Sequence, residues 1–305
     1  MIDISIIVTV FNKAAYLPNM LRGLKELDDG YVKQFIFVND KSIDNSLEIL
    51  QEQTKGWENV IIHTNDVNSG PAVSTNVGVE LSSGRFIFFL DGDDIFAPNA
   101  FKVMGGLMEE TGVDALYFRH KNMPTASGYS EVKPMPKEIE YEIMDRPELH
   151  LENITTGSST FGITRELLEK IGKVCDERIF IQDYSLCIRI VKRATRMLRL
   201  KTPALYYLYD TGNAVSKMRL QGVHDKAVIY YIALTENYIT ERSCYEFAVK
   251  QTFKLHHKNC WKNKLYKKSA EFYLYRRIIG FLPKGFITRK LKEIYEYYRA
   301  NYDVR

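Results

Sequence analysis

Cysteine is scarce in this chain of 305 residues: Cys175, Cys187, Cys244 and Cys260 lie far apart, in no CxxC or similar metal-ligand spacing, and none falls in the first half. That spacing argues against a zinc module, and the cysteines read as reduced thiols in a reducing compartment. No uninterrupted apolar run approaches the roughly 18 residues of a membrane-spanning helix. Met1-Ile2-Asp3 runs straight into an apolar segment with no basic leader or small-residue cleavage site, so a cytoplasmic protein is expected. Internal repeats and low-complexity segments are absent. Glycine is missing from Thr9-Val10-Phe11-Asn12-Lys13, the turn after the first apolar run. This disfavours a dinucleotide dehydrogenase, which needs GxGxxG there, and a nucleotidyltransferase with a glycine-rich basic phosphate loop. Histidine is missing between His150 and His224.

What is present is an ordinary globular composition, 45% hydrophobic and 26% charged, long enough to bury a substantial core. Ile4 to Val10 and Phe35 to Val38 are β-branched or aromatic runs, each followed by polar turn residues and then by apolar residues at helical spacing. Val60 to His63 and Phe86 to Leu90 repeat the pattern, with a helix between them that opens at Gly70-Pro71. Strands alternating with helices predict an α/β fold with a mainly parallel sheet, whose ligands bind beyond the carboxyl ends of the strands. A helix near Pro98 and a strand at Ala115 to Phe118 follow. Residues 119 to 156, with Pro124, Pro134, Pro136 and Pro147, are expected to form loops and short strands. Thr164 to Ile171 and Tyr184 to Ala194 read as helices, the second with Asp183 as candidate N-cap. From about Val223 the chain is expected to be helical.

The sharpest chemical feature is Asp91-Gly92-Asp93-Asp94, directly after a strand. Adjacent carboxylates repel one another at neutral pH unless a cation sits among them, and oxygen ligands on a tight turn suit Mg²⁺ or Mn²⁺. A solvated acidic turn bent at Gly92 is the plain alternative. Asp40 also follows a strand, within Asn39-Asp40-Lys41-Ser42-Ile43-Asp44-Asn45-Ser46. Ser42 or Asp44 is expected to cap the next helix, leaving Asp40 free to accept hydrogen bonds from a base or ribose. Thr9, Phe11 and Asn12, at the end of the first strand, set small polar groups beside an aromatic that could flank a base.

Taken together, these segments resemble the N-terminal half of the large inverting glycosyltransferase group called family 2, which has a GT-A fold. The likeness rests on Ser5-Ile6-Ile7-Val8-Thr9-Val10-Phe11-Asn12, on Val38-Asn39-Asp40-Lys41-Ser42-Ile43-Asp44-Asn45-Ser46, on Asn68-Ser69-Gly70-Pro71 with Asn76-Val77-Gly78, and on Leu90-Asp91-Gly92-Asp93-Asp94 with Pro98. It is strong over about the first 110 residues and weaker to about 218. The resemblance implies a nucleotide-sugar site formed by Thr9, Phe11, Asn12, Asp40, Asn76, Asp91 and Gly92. It further implies a Mn²⁺ or Mg²⁺ ion on Asp93, with Asp91 close by, bridging a diphosphate. Asp183 matches the family's catalytic base, Gln182 standing where a glutamate is usual. By family habit the donor is a UDP-sugar and the acceptor a saccharide or lipid-linked saccharide in surface polysaccharide synthesis. The chain departs from the pattern at Asn39-Asp40-Lys41, where two aspartates and a small residue are common. It departs again in Tyr209 to Ser216, where many relatives carry a histidine; His224 is the nearest substitute. These departures keep open a nucleotide-binding scaffold without turnover.

The expected organisation is a GT-A domain over 1–220, divided at 118/119 into nucleotide-sugar and acceptor halves, followed by a basic helical region over 221–305. From Lys250 onward the chain carries 15 Lys and Arg against 4 Asp and Glu, a local charge of +11. Lys250, Lys254, Lys258 and Lys262 recur every fourth residue among aromatics. Such helices suit an anionic membrane surface, which would seat the protein on the inner face of the membrane. They equally suit packing on the catalytic domain or in a homo-oligomer. Nucleic acid is not expected, since no recognisable module accompanies the charge.

Overall fold

Runs rich in Ile, Val and Phe suit strands covered on both faces. In the computed structural model they form Ile4–Val10 (β1), Val32–Asn39 (β2), Val60–Thr64 (β3) and Phe86–Asp91 (β4), which pair in parallel in the order β3-β2-β1-β4. The structure describes residues 3–27, 30–124, 131–147, 160–175, 177, 179, 182–209, 219–237 and 242–302; the side chains of Leu27, Asp183, Tyr184, Tyr209, Arg219, Ser243 and Cys244 lie outside that description. The crossovers are Leu17–Leu27 (α1), Ser46–Gln53 (α2) and Pro71–Leu81 (α3). Helix α3 lies so close to β1 that a Cβ on Gly78 would sit 2.3 Å from Ile7 Cγ2. The glycine of Asn76-Val77-Gly78 is therefore a packing residue.

The second half of the sheet is mixed. Ile95–Phe96 (β5) leads to helix Ala100–Thr111 (α4), strands Ala115–Pro124 (β6), Tyr141–Met144 (β7) and Phe161–Thr164 (β8), helices Arg165–Ile171 (α5) and Gln182–Arg193 (α6), and strand Met197–Tyr209 (β9). Strand β8 inserts antiparallel between β4 and β6, while β9 runs parallel to β6 and carries β5 and β7 antiparallel beside it. The path is β3-β2-β1-β4-β8-β6-β9-β5. Parallel order thus holds for the first four strands, and four of the five pairings beyond them depart from it. Strand β8, with Gly162 in it, and the Lys- and Pro-interrupted β9 carry little strand signal of their own. Long-range pairing with β4 and β6 makes them strands. Thr164, expected inside a helix, is the N-cap of α5, its hydroxyl accepting from Leu167 N at 3.1 Å. Helix α6 starts at Gln182, so Asp183 lies in the first turn and not at the N-cap.

The C-terminal region is helical as expected: Arg219–Thr235 (α7), Arg242–Lys262 (α8), Tyr266–Arg277 (α9), a short turn at Ile279–Phe281 and Lys284–Asn301 (α10). Successive residues of β1 point to opposite faces, so Ile6 and Val8 enter one core with Phe35, Phe88 and Phe101, while Ile7 enters the other. That second core continues through Leu186 and Val223 to Phe253 and Tyr298, so the sheet and the C-terminal helices bury apolar surface in common. Among the described residues, no helix is long and apolar enough to cross a membrane.

Candidate active site

Parallel pairing brings the carboxyl ends of β1, β2 and β4 to one edge, with Thr9 beside both Val38 and Asp91. Thr9 Oγ1 donates to Asp91 Oδ1 at 3.2 Å, and Gly92 N donates to Thr9 O at 3.0 Å. A Cβ on Gly92 would stand 3.2 Å from Thr9 O and 3.3 Å from Lys13 Cγ. Glycine therefore lets the acidic turn close on the end of β1 while the Lys13 stem runs alongside. The Lys13 ammonium forms an ion pair with Asp93, whose side chain is 7% exposed. Sequence reasoning gave Lys13 no role. Its one signal was a lysine immediately after the first strand, at the distance from Asp93 that only the tertiary structure sets.

Two residues here adopt left-handed backbone, Asn12 at φ 54° and Lys41 at φ 57°. Asn12 is held there reciprocally: its N donates to Ser42 Oγ at 3.0 Å and its Oδ1 accepts from Ile43 N at 2.9 Å. Ser42 thus fastens the two loops together instead of capping α2. Asp44 accepts from Ser46 N at 3.0 Å, the first amide of α2, and from Ala14 N at 3.1 Å. Lys41, exposed, occupies a conformation that glycine takes without strain. Non-glycine residues in this region cost of order 1 kcal/mol or more and cluster at functional sites.

Asp40 is buried and already engaged. Its Oδ1 accepts from Asn65 Nδ2 and Ser69 N, and its Oδ2 from Gly70 N, each at 2.8 Å. It therefore does cap the start of α3, which the sequence reading did not anticipate. A carboxylate offers about four acceptor positions. One on Oδ2 is left by these bonds. Phe11 (41% exposed), Ile43 (89%) and Val67 (65%) follow β1, β2 and β3 as exposed apolar side chains; Ile43 and Val67 were not singled out from sequence.

Asn76, on α3, is already engaged. Its Nδ2 donates to Cys175 O and Glu177 Oε1, and its Oδ1 accepts from Cys175 N, all at 3.0 Å. The side chain is buried and fastens α3 to the loop that leads into α6. Asp183 is the second residue of α6, with its side chain outside the described residues, and so is the whole segment 210–218. His224 is buried on α7 with Nδ1 2.7 Å from Asp225 Oδ1, an oxygen that also accepts from Gln221 Nε2 at 2.7 Å.

Asp91 and Asp93 offer hard oxygen donors, yet among the described residues no three His, Cys, Asp or Glu side chains gather as a ready cage. One or two carboxylates suit Mg²⁺ or Mn²⁺ when phosphate oxygens and water complete the shell. The donor set fits a metal that arrives with a diphosphate, and Lys13 is the cation such a pair would displace.

A 26% identical relative, an uncharacterized glycosyltransferase of Haemophilus influenzae, aligns over 275 residues, 88% of each chain. The poly(ribitol-phosphate) β-N-acetylglucosaminyltransferase TarS of Staphylococcus aureus is 27% identical over 214 residues, 68% of this chain and 35% of that one, so this chain spans about a third of its length. The solved 1–349 fragment of S. aureus TarS in complex with UDP-GlcNAc superposes with a TM-score of 0.66 at 18% identity, covering 99% of this chain and 93% of the fragment. That likeness establishes the GT-A fold. The model of the family described as Glycosyl transferase family 2 matches residues 5–172, more than half of the sequence, and the chain belongs to that family.

Proposed function

We propose that this chain is an inverting transferase that moves a sugar from a UDP-sugar to a hydroxyl of a saccharide or lipid-linked saccharide acceptor in surface polysaccharide synthesis. Residues 1–220 form its catalytic part in this reading. The observation that carries it is the meeting of Thr9, Asp91 and Asp93 at the carboxyl ends of parallel strands in a family 2 chain. UDP-GlcNAc is the donor to test first, because the structurally similar TarS fragment was solved with it.

Each residue has a named part. Phe11 flanks the base, and the remaining acceptor position on Asp40 Oδ2 receives a base N–H. Thr9 orients Asp91 beside the ribose. Asp93 and Asp91 hold Mg²⁺ or Mn²⁺, which when bound supplies positive charge to the departing nucleoside diphosphate. Asp183 takes the proton from the acceptor hydroxyl while that oxygen attacks the anomeric carbon from the face opposite the leaving group. One displacement inverts the configuration. Asp183→Asn is expected to abolish transfer and leave UDP affinity nearly unchanged; transfer at a comparable rate would put the base elsewhere.

The test is calorimetric titration with UDP, GDP and dTDP, with and without Mn²⁺, on the wild type and Asp93→Ala. Metal-dependent binding of one nucleotide, weakened in Asp93→Ala, supports the donor site. Binding without turnover on any donor favours a second reading, a nucleotide-binding scaffold, for which the Lys13–Asp93 ion pair speaks because it already neutralises the metal-side carboxylate.

A further inference from the structure

We infer that the corner between α8 and α9 is a membrane-docking wedge that seats the protein on an anionic lipid surface. From Phe247 to Ala270 the chain carries seven lysines and no Asp or Glu. Within that stretch the corner reads Trp261-Lys262-Asn263-Lys264-Leu265-Tyr266-Lys267-Lys268. Trp261 is 62% exposed, Tyr266 54% and Leu265 39%, and the two rings meet edge to face with centroids 5.1 Å apart. The exposed apolar surface continues along α9 through Tyr273 and Leu274, seven and eight residues after Tyr266 and so on the same helical face.

The corner is built rigidly. Lys264 turns the chain at φ 61°, Leu265 N donates to Cys260 O at 2.9 Å, and Asn263 Nδ2 donates to Tyr302 OH at 3.1 Å. Its lysines divide by role. Lys268 is half-buried and engaged, with Nζ 4.2 Å from the centre of the Tyr297 ring. Lys262, Lys264 and Lys267 are exposed and enter no ion pair among the described residues.

Charge and polarity together select the occupant. A second copy of this chain would bring one lysine-rich corner against another, because a two-fold contact is self-complementary. Nucleic acid would satisfy the lysines and could stack on Trp261, yet it offers nothing apolar to Leu265 and Leu274. An anionic bilayer satisfies both: the ammonium groups stay among headgroup phosphates while Trp, Tyr and Leu enter the acyl boundary. Tryptophan and tyrosine favour that interface, apolar at one end and wet at the other. Docking here stands apart from the transfer reaction, and vesicle binding can succeed or fail whichever sugar is moved.

The experiment is sedimentation of the full chain with vesicles of phosphatidylcholine alone and of equimolar phosphatidylcholine and phosphatidylglycerol. Trp261 fluorescence is read in parallel in a Trp57→Phe background, where it is the only tryptophan. We expect binding to the anionic vesicles alone, a blue shift of Trp261, and loss of binding with rising salt. Each lysine near the surface is worth about fivefold in partitioning, so Lys262→Gln/Lys264→Gln/Lys267→Gln should bind about a hundredfold more weakly. Trp261→Ala/Tyr266→Ala should lose binding as well. UDP affinity should stay unchanged in both variants, which separates lost docking from a damaged fold. Equal binding to both vesicle types, no binding, or wild-type binding by the triple variant overturns the inference. So does a Trp261 shift produced by protein concentration or single-stranded DNA while vesicles leave the emission unmoved.

Discussion

Asn76 separates two accounts of the site. The family resemblance implies contact with the nucleotide-sugar, whereas the structure commits its amide to Cys175 and Glu177, on the way to the helix that carries Asp183. Asn76→Ala removes three hydrogen bonds, two of them to the backbone of buried Cys175. At about 1 kcal/mol net per bond the loss is about 3 kcal/mol. The Glu177 bond contributes least, since that carboxylate is 38% exposed and shared with Lys173. For a domain of this size the loss lowers the melting temperature by roughly 5–10 °C. Freed of its anchor, the start of α6 shifts, and a displacement of about 1 Å at a catalytic group can cost about a hundredfold in rate. The assay is kcat for sugar transfer beside calorimetric UDP affinity, both well below the variant's melting temperature. We expect kcat to fall about a hundredfold with UDP affinity within about twofold of wild type. A large loss of UDP affinity with kcat preserved would refute the reasoning and return Asn76 to the donor site.

Other outcomes follow from the same geometry. Lys13→Met strips the nearly buried Asp93 of its counter-ion and should cost about 1–3 kcal/mol, with Mn²⁺ raising the variant's melting temperature more than the wild type's; an equal Mn²⁺ response in both would show that Lys13 does not compete for the carboxylate. Gly78→Ala forces a methyl to within 2.3 Å of Ile7 Cγ2 and should destabilise by about 1–3 kcal/mol in urea titration, where an unchanged midpoint would contradict the close packing of α3 on β1. Burial, with Lys268 nearby, pushes the His256 imidazole down to about 3, so the folded protein holds it neutral while the unfolded chain protonates it near 6.5. Stability from this group is complete above about 6.5 and drains away as pH falls towards 3; His256→Phe should flatten that part of the pH profile, and parallel profiles would count against it.

The resemblance visible in sequence was a matter of local order. Apolar runs followed by Thr9, Asp40 and the Asp91–Asp94 turn marked strand ends, and in a parallel sheet those ends must gather at one edge. The family match then needed only that order and spacing, which the sequence carries directly. Lys250, Lys254, Lys258 and Lys262 likewise announced a basic helix. Strands β8 and β9 were not legible, because Phe161–Thr164 and Met197–Tyr209 become strands through partners some 44 to 85 residues away.

What tertiary structure alone decided was how side chains are shared out. Asp40, read as free, carries the amides of Ser69 and Gly70, and Asn76, read as a donor ligand, carries Cys175. Lys13, read as nothing, neutralises Asp93. A sequence states which donors and acceptors exist; burial determines which must be paired, because an unpaired polar group away from water is costly, and only the packed chain shows the partner within reach. The order of strands and polar turns in this sequence therefore announced a sheet edge lined with carboxylates, and the packing of α3, α6 and the acidic turn determined how those side chains are paired.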